Sequence, residues 1–132
     1  MNKIIVLSAK SASGKDTIMK QLVAEEGFLP CVSHTTRPMR EGEVEGREYY
    51  FVDQQDFIAR KRNREFVETR TYDVIADNGG LETWYYGYSV EEIDNKLSQG
   101  DILMIVDLTG FKEFKQLYGD RCVGIYLDVD RD

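Results

Sequence analysis

Residues 3–17 constrain the fold more than any other stretch: Lys3-Ile-Ile-Val-Leu-Ser-Ala-Lys-Ser-Ala-Ser-Gly-Lys-Asp-Thr17 is an apolar run that breaks into small side chains and then into Gly14-Lys15. The apolar part reads as a buried strand, and the small residues after it as a loop leading into the first turn of a helix. Small side chains let successive backbone N–H groups turn inward, the lysine adds a point charge, and the helix behind presents the positive end of its dipole to the same place. Together they make a phosphate site from Ala9, Lys10, Ser11, Ala12, Ser13, Gly14, Lys15, Asp16 and Thr17. Against the pattern G-x-x-x-x-G-K-[ST], Ala9 replaces the first glycine and Asp16 the hydroxyl residue, while Thr17 offers a hydroxyl one position later. An ordinary strand-to-helix turn with a solvated lysine fits the same letters, so the remaining chain has to decide.

Any anion site must be local, because 17 basic and 24 acidic side chains give a net charge of −7, a balance that argues against bulk affinity for nucleic acid or an anionic membrane. At 132 residues the chain suits a single domain with its own core. Ile4-Ile-Val-Leu7 is too short for a signal-peptide core, and no stretch approaches membrane-spanning length. Cys31 and Cys122, far apart and beside apolar neighbours, read as buried thiols rather than a disulfide or metal pair. A reducing, cytoplasmic setting is expected.

Beyond the loop, Ile18, Met19, Leu22 and Val23 keep helical spacing up to Gly27, which opens an α/β fold with a parallel sheet. Val32 to Thr36 reads as a strand, Pro38 and Gly42 to Gly46 as a loop, and Tyr49 to Val52 as a second strand. A helix comes next over Asp53 to Asn63 with Phe57 and Ile58 inward, its basic end a solvated face that complements the helix dipole. Alternation through Arg70, Tyr72, Val74 and Ala76, the turn Asp77-Asn-Gly-Gly80, and alternation back through Leu81, Thr83 and Tyr85 predict an extended β-hairpin. Ser89-Val-Glu-Glu92 is a capping box for a helix to about Gln99, closed by Gly100. Asp101 to Asp107 is an apolar run ending in an acid, the form of a buried parallel strand. Asp107 then either holds Mg²⁺ beside a triphosphate or caps the next helix, Gly110 to Tyr118. Cys122 to Leu127 is a third parallel strand.

Arg37 and Arg40 flank a turn stiffened by Pro38, so two guanidinium forks can converge on one phosphate, where bidentate geometry outperforms a lysine. Both arginines could also be ordinary solvated loop residues. Ser33-His-Thr-Thr-Arg37, Arg40, Gly42-Glu-Val, Gly46 and Tyr49-x-Phe-Val52 resemble the nucleotide-monophosphate segment of guanylate kinases, over some twenty positions. The resemblance implies a P-loop, doubly wound parallel sheet with a mainly β insertion that binds the monophosphate: one domain over 1–132, its core at 1–30 and 89–132 and the insertion at 31–88. It implies transfer of the γ-phosphoryl group of ATP to a nucleoside monophosphate, GMP by similarity, with Mg²⁺. Lys15, Arg37 and Arg40 would be catalytic; Ser33, Arg37, Arg40, Tyr49, Glu68 and Tyr86 would hold GMP; Asp16, Thr17 and Asp107 would hold the metal.

In such a kinase Glu68 accepts from the guanine N1–H and amino group, and Tyr86 contacts the monophosphate. The sequence departs from the family at Tyr88, where a Ser or Thr commonly touches the base, and at Ile105, where an acid helps read guanine. Its link between Glu68 and Trp84-Tyr-Tyr-Gly87 is longer than usual. A sugar-phosphate kinase is one alternative, since Gly14-Lys-Asp16 resembles the loop of ribose 1,5-bisphosphate kinases. A non-catalytic guanylate-kinase-like module that binds proteins is another. In the family this strand leads into an arginine-bearing lid and a final helix; over the 132 residues given, which hold neither motif, nucleotide binding without fast turnover and self-association through an uncovered sheet face are expected. Arg131 stands near the lid position, and Arg40 and Arg70 are further candidate cations.

Overall fold

The computed structural model describes residues 1–9 and 15–127. The loop residues Lys10 to Gly14, the side chains of Lys15, Asp16 and Thr17, and Arg131 lie outside the described part. Two units form, Met1–Cys31 with Ile93–Asp132, and Val32–Glu92.

In the first unit, β1 (Ile4–Ala9) lies between β6 (Ile102–Ile105) and β7 (Cys122–Leu127), all parallel. Ile4 pairs with both Ile102 and Cys122, and Leu7 with Ile105 and Ile125. Ile4, Val6, Ile102, Leu103 and Met104 are buried with Ile93, Leu97 and Phe114, because a parallel strand covered on both faces has an apolar run that need not alternate. Parallel strands deliver their C-terminal ends to one edge, so β1 and β6 leave the sheet side by side. The Ser8 hydroxyl donates to the Val106 carbonyl at 2.7 Å and ties those two ends together. From that edge, α1 (Lys15–Glu26) follows β1 and α4 (Leu108–Tyr118) follows β6.

Helix α4 begins two residues earlier than the spacing predicts, because Asp107 is its N-cap and its Oδ1 accepts from the Gly110 N–H at 2.8 Å. Helix α3 (Val90–Leu97) is capped by the Ser89 hydroxyl, which accepts from the Glu92 N–H at 3.0 Å. Cys122 is buried as expected, but Cys31 is only half-buried. No helix among the described residues is long and apolar enough to cross a membrane.

The second unit is a four-stranded sheet in the order β3 (Tyr50–Phe51), β2 (His34–Thr35), β5 (Leu81–Ser89), β4 (Phe66–Ile75), with α2 (Gln54–Arg62). The predicted strand over Val32 to Thr36 is reduced to two ladder residues, since side chains take over at its flanks: Val32 N–H donates to the Glu92 carboxylate at 2.9 Å, and Tyr85 N–H on β5 donates to the Thr36 hydroxyl at 3.0 Å. Strands β4 and β5 form the predicted long hairpin, in register from Glu68 with Tyr88 to Ile75 with Leu81. Its turn closes with Ala76 N–H on the Gly80 carbonyl at 2.7 Å, and Gly79 supplies a positive φ of 87°.

The sheet's two faces differ in chemistry. His34, Phe66 and Tyr85 lie on the face covered by α2, whose fully buried Phe57 stacks on Phe66 at 4.6 Å and meets Tyr85 at 5.4 Å. Gly87 is on this face too, and a Cβ there would lie 3.0 Å from the Phe66 ring and 3.1 Å from the Glu68 carbonyl. A glycine is what lets β4 and β5 close at that point. A β-bulge between Phe66 and Glu68 sets two residues of β4 against one of β5. The alternation changes phase there, so Phe66 meets Phe57 while Glu68 turns to the opposite face with Arg70.

Candidate functional site

That opposite face gathers the predicted acceptor residues. Period-two alternation and register put Ser33, Thr35 and Arg37, then Tyr49 and Phe51, then Tyr86 and Tyr88, then Glu68, Arg70 and Tyr72 on one side of the sheet. The contacts form a continuous row. The Arg37 guanidinium lies 5.1 Å from the Tyr49 ring centre, Tyr49 meets Tyr86 edge-on at 5.7 Å, the Arg70 guanidinium lies 5.5 Å from Tyr86, and Arg70 Nη1 donates to Glu68 Oε1 at 2.8 Å. Tyr72 closes on Tyr86 at 5.5 Å.

Arg37 is buried, with Nη2 donating to Glu43 Oε2 at 2.7 Å and Nη1 to the Pro38 carbonyl at 3.0 Å. Burial of a cation is tolerable here because a carboxylate, a carbonyl and two aromatic rings surround it. Glu43 Oε1 also accepts from the Arg40 N–H at 2.7 Å, so one carboxylate fastens the turn that carries both arginines. The hydrogen bond from Arg37, then that from Arg40, hold the Glu43 carboxyl below its usual range, and Glu43 in turn raises the Arg37 guanidinium. The two arginines share a turn, but only Arg37 is gathered into the row; the Arg40 side chain is exposed.

Glu68 is 3% exposed and paired to Arg70, whose guanidinium also lies 5.7 Å from the Tyr88 ring. Burial lowers and the Glu68 charge raises the Arg70 guanidinium, with a net upward shift. Ser33 is buried beside the row, its carbonyl accepting from Tyr50 N–H at 2.9 Å. Glu43 and Phe51, letters of the family motif to which the sequence assigns no role, and Tyr72, outside it, join the row, and Arg70 enters as more than a spare cation. A signal was present: Glu68, Arg70 and Tyr72 alternate on one strand opposite Tyr88, Tyr86 and Trp84 on the next, and such cross-strand pairs touch.

In the first unit, Ala9 ends β1 and Asp107 follows β6 at the same sheet edge. Asp107 is exposed and acts as a helix cap. Among the described residues no group of three His, Cys, Asp or Glu side chains could hold a metal. A single carboxylate is nevertheless a sufficient protein ligand for Mg²⁺, which keeps several waters and takes further oxygens from phosphates.

A guanylate kinase family model matches residues 1–127. The guanylate kinase of Francisella tularensis subsp. holarctica (strain LVS) is 34% identical over 131 residues, covering 96% of this chain and 64% of the relative. That of Legionella pneumophila (strain Lens) is 33% identical over 126 residues, covering 94% of this chain and 56% of the relative. The crystal structure of guanylate kinase from Anaplasma phagocytophilum matches with a TM-score of 0.66 and 28% identity, over 95% of this chain and 58% of that one. The chain thus spans less than two thirds of the length of these relatives.

Proposed function

We propose, from the premise that this chain belongs to the guanylate kinase family, that it serves the transfer of the γ-phosphoryl group of ATP to GMP. The observation that carries this reading is the single sheet face on which Arg37, Tyr49, Tyr86, Arg70 and Glu68 stand in contact. Its chemistry is graded. One end offers the Arg37 fork and two phenols, suited to a phosphate; the other offers a buried carboxylate, suited to a base edge bearing N–H donors.

In this reading Val32–Glu92 is the acceptor unit and the remainder the donor unit. Ser33, Arg37, Arg40, Tyr49 and Tyr86 hold the monophosphate, and Glu68 accepts from guanine. The loop from Ala9 to Thr17, with Lys15 as its cation, holds the ATP phosphates. Asp16, Thr17 and Asp107 would hold Mg²⁺, which shields phosphate charge when bound. The protein's own contribution is positioning, because phosphoryl transfer needs the acceptor oxygen in line and little covalent help. An incoming phosphate would share Arg37 with Glu43, so the arginine is oriented before substrate arrives.

The test is ATP-dependent phosphorylation of GMP, AMP and ribose 1,5-bisphosphate side by side, with Lys15→Ala as control. GMP is expected to be the best acceptor and the control to bind no ATP while remaining folded. Transfer to the sugar phosphate in preference to GMP overturns the proposal, as does an absence of transfer and of nucleotide binding alike.

A further inference from the structure

The four-stranded sheet leaves part of one strand edge open beside a groove. Strand β2 pairs with β5 only at Gly87 and Tyr86. One residue further out, the Tyr85 carbonyl accepts from the Thr36 N–H at 3.1 Å and the Tyr85 N–H donates to the Thr36 hydroxyl at 3.0 Å, both on the side away from β4. Hydrogen-bonding direction alternates along an antiparallel strand, so the N–H and C=O of Thr83 and Leu81 point the same way. Register agrees, because Thr83 faces Asp73 and their side chains bond to each other at 2.7 Å, as in a close pair that exchanges no backbone bonds. On the outward side, the backbone groups of Thr83 and Leu81 meet no partner among the described residues.

That edge borders a cleft of about 520 Å³ along residues 81–85, whose other lining residues are Thr36, Pro38, Asp53 and Gln54. Ligand-holding clefts run to roughly 300–1,000 Å³. Leu81, 81% exposed, and the exposed Pro38 offer apolar surface beside the half-buried Trp84. The lining includes two carboxylates, Asp53 and Glu82, and no basic side chain. Asp53 caps α2 through Oδ1, and Glu82 Oε2 accepts from the Trp84 indole N–H at 3.2 Å, so each carboxylate keeps an oxygen for a further donor. Glu82 alternates onto the face of Trp84, whereas Asp53 leads into α2, which covers the other face.

We propose that the open edge of β5 is a docking site for an extended peptide segment of a protein partner, which adds as a strand and carries lysine or arginine among apolar residues. Backbone bonds to Leu81 and Thr83 supply affinity in such strand addition, and alternate side chains supply specificity. A basic side chain on either face of the added strand meets a carboxylate, Glu82 or Asp53. A second copy of this chain fits the edge less well, since two β5 edges set antiparallel bring each Glu82 toward its twin, and like charges opposed across strands destabilise pairing. The chain's net charge of −7 favours a basic partner in the same sense. None of the lining residues holds a nucleotide in the proposed reaction, so this site stands apart from that reading.

Trp84 is the only tryptophan of the 132 residues, so its emission reports on the groove. The full chain would be titrated with a capped peptide of alternating valine and lysine, with its valine–glutamate counterpart, and with the valine–lysine peptide N-methylated at alternate amides. The first should give a saturable emission change and slow hydrogen exchange at the Leu81 and Thr83 N–H groups, and the other two should bind about tenfold or more weakly. Asp53→Asn keeps a good helix cap and Glu82→Gln keeps an acceptor for the indole, so the double variant should fold, bind the lysine peptide about tenfold more weakly and lose most of the salt dependence. Thr83→Pro removes an N–H that no strand uses and should weaken the same peptide by a similar factor; should it fail to fold, the N-methylated peptide carries the backbone test. Equal binding of the three peptides, wild-type affinity in the double variant, or no emission change up to about 1 mM lysine peptide overturns the proposal. Sedimentation that shows a dimer of this chain broken by Thr83→Pro would assign the edge to a second copy and overturn it as well.

Discussion

Replacing Phe57 by alanine tests how the acceptor face is held. Phe57 is fully buried; its ring stacks on Phe66 at 4.6 Å and meets Tyr85 at 5.4 Å. Removing a phenyl group from such a position costs about 3–5 kcal/mol, combining lost transfer energy with the cavity left behind. The two ring contacts favour the upper half of that range. A unit of the size of Val32–Glu92 has roughly 3–9 kcal/mol of stability of its own, so the variant forfeits half or more of it. That corresponds to a fall of ~15–30 °C in the unit's melting temperature. Phe66 also adjoins the bulge that turns Glu68 to the other face, so GMP affinity should fall together with stability. Near-UV circular dichroism during heating, with calorimetric GMP titration below the transition, would measure both. Phe57→Leu keeps most of the volume and should cost only about 1–2 kcal/mol. A loss under about 1 kcal/mol for Phe57→Ala, or equal losses for the two variants, would refute the claim that ring volume at this position holds α2 on the sheet.

The same unit carries two more tests. His34 is buried between Tyr50 and Phe66, and its Nδ1 has no hydrogen-bond partner among the described residues, so burial and then Arg60 hold its pKa below the usual 6.5. The unfolded chain therefore takes up the proton first: His34's contribution is complete above about pH 6.5 and is lost as pH falls through the lower folded value. The urea midpoint should drop between about pH 7 and 5.5 in the wild type and less in His34→Phe, and parallel pH profiles would refute this assignment. Gly87→Ala should destabilise the hairpin by about 1–3 kcal/mol through overpacking, because the new Cβ meets the Phe66 ring, the Glu68 carbonyl and Thr69 Cγ2 at 3.0–3.1 Å. An unchanged denaturation midpoint would show that Phe66 moves aside freely.

Much of the architecture is legible in local sequence because it depends on local physics. The run from Ile4 to Leu7 and that from Ile102 to Val106 are apolar without alternation, and they become the buried parallel strands. Alternation on both sides of Asp77-Asn-Gly-Gly80 yields the hairpin, since period two and a tight turn are properties of short stretches. The same alternation brings Arg37, Tyr49 and Tyr86 to one face before any contact is known. The tertiary structure decided what those residues do to one another. A one-residue bulge next to Phe66 chooses the face for Glu68, and nothing in the letters Phe66-Val-Glu68 marks it. Glu43 stands in the motif Gly42-Glu-Val without a role until the fold brings it to 2.7 Å from the Arg37 guanidinium. The sequence favours Asp107 as a metal ligand over a helix cap, and only the 2.8 Å bond from Gly110 N–H shows the cap at work. Backbone periodicity repeats along the chain and leaves a pattern in it, whereas an ion pair or a bulge is a single event set by distances between separate elements, and single events leave no period to read.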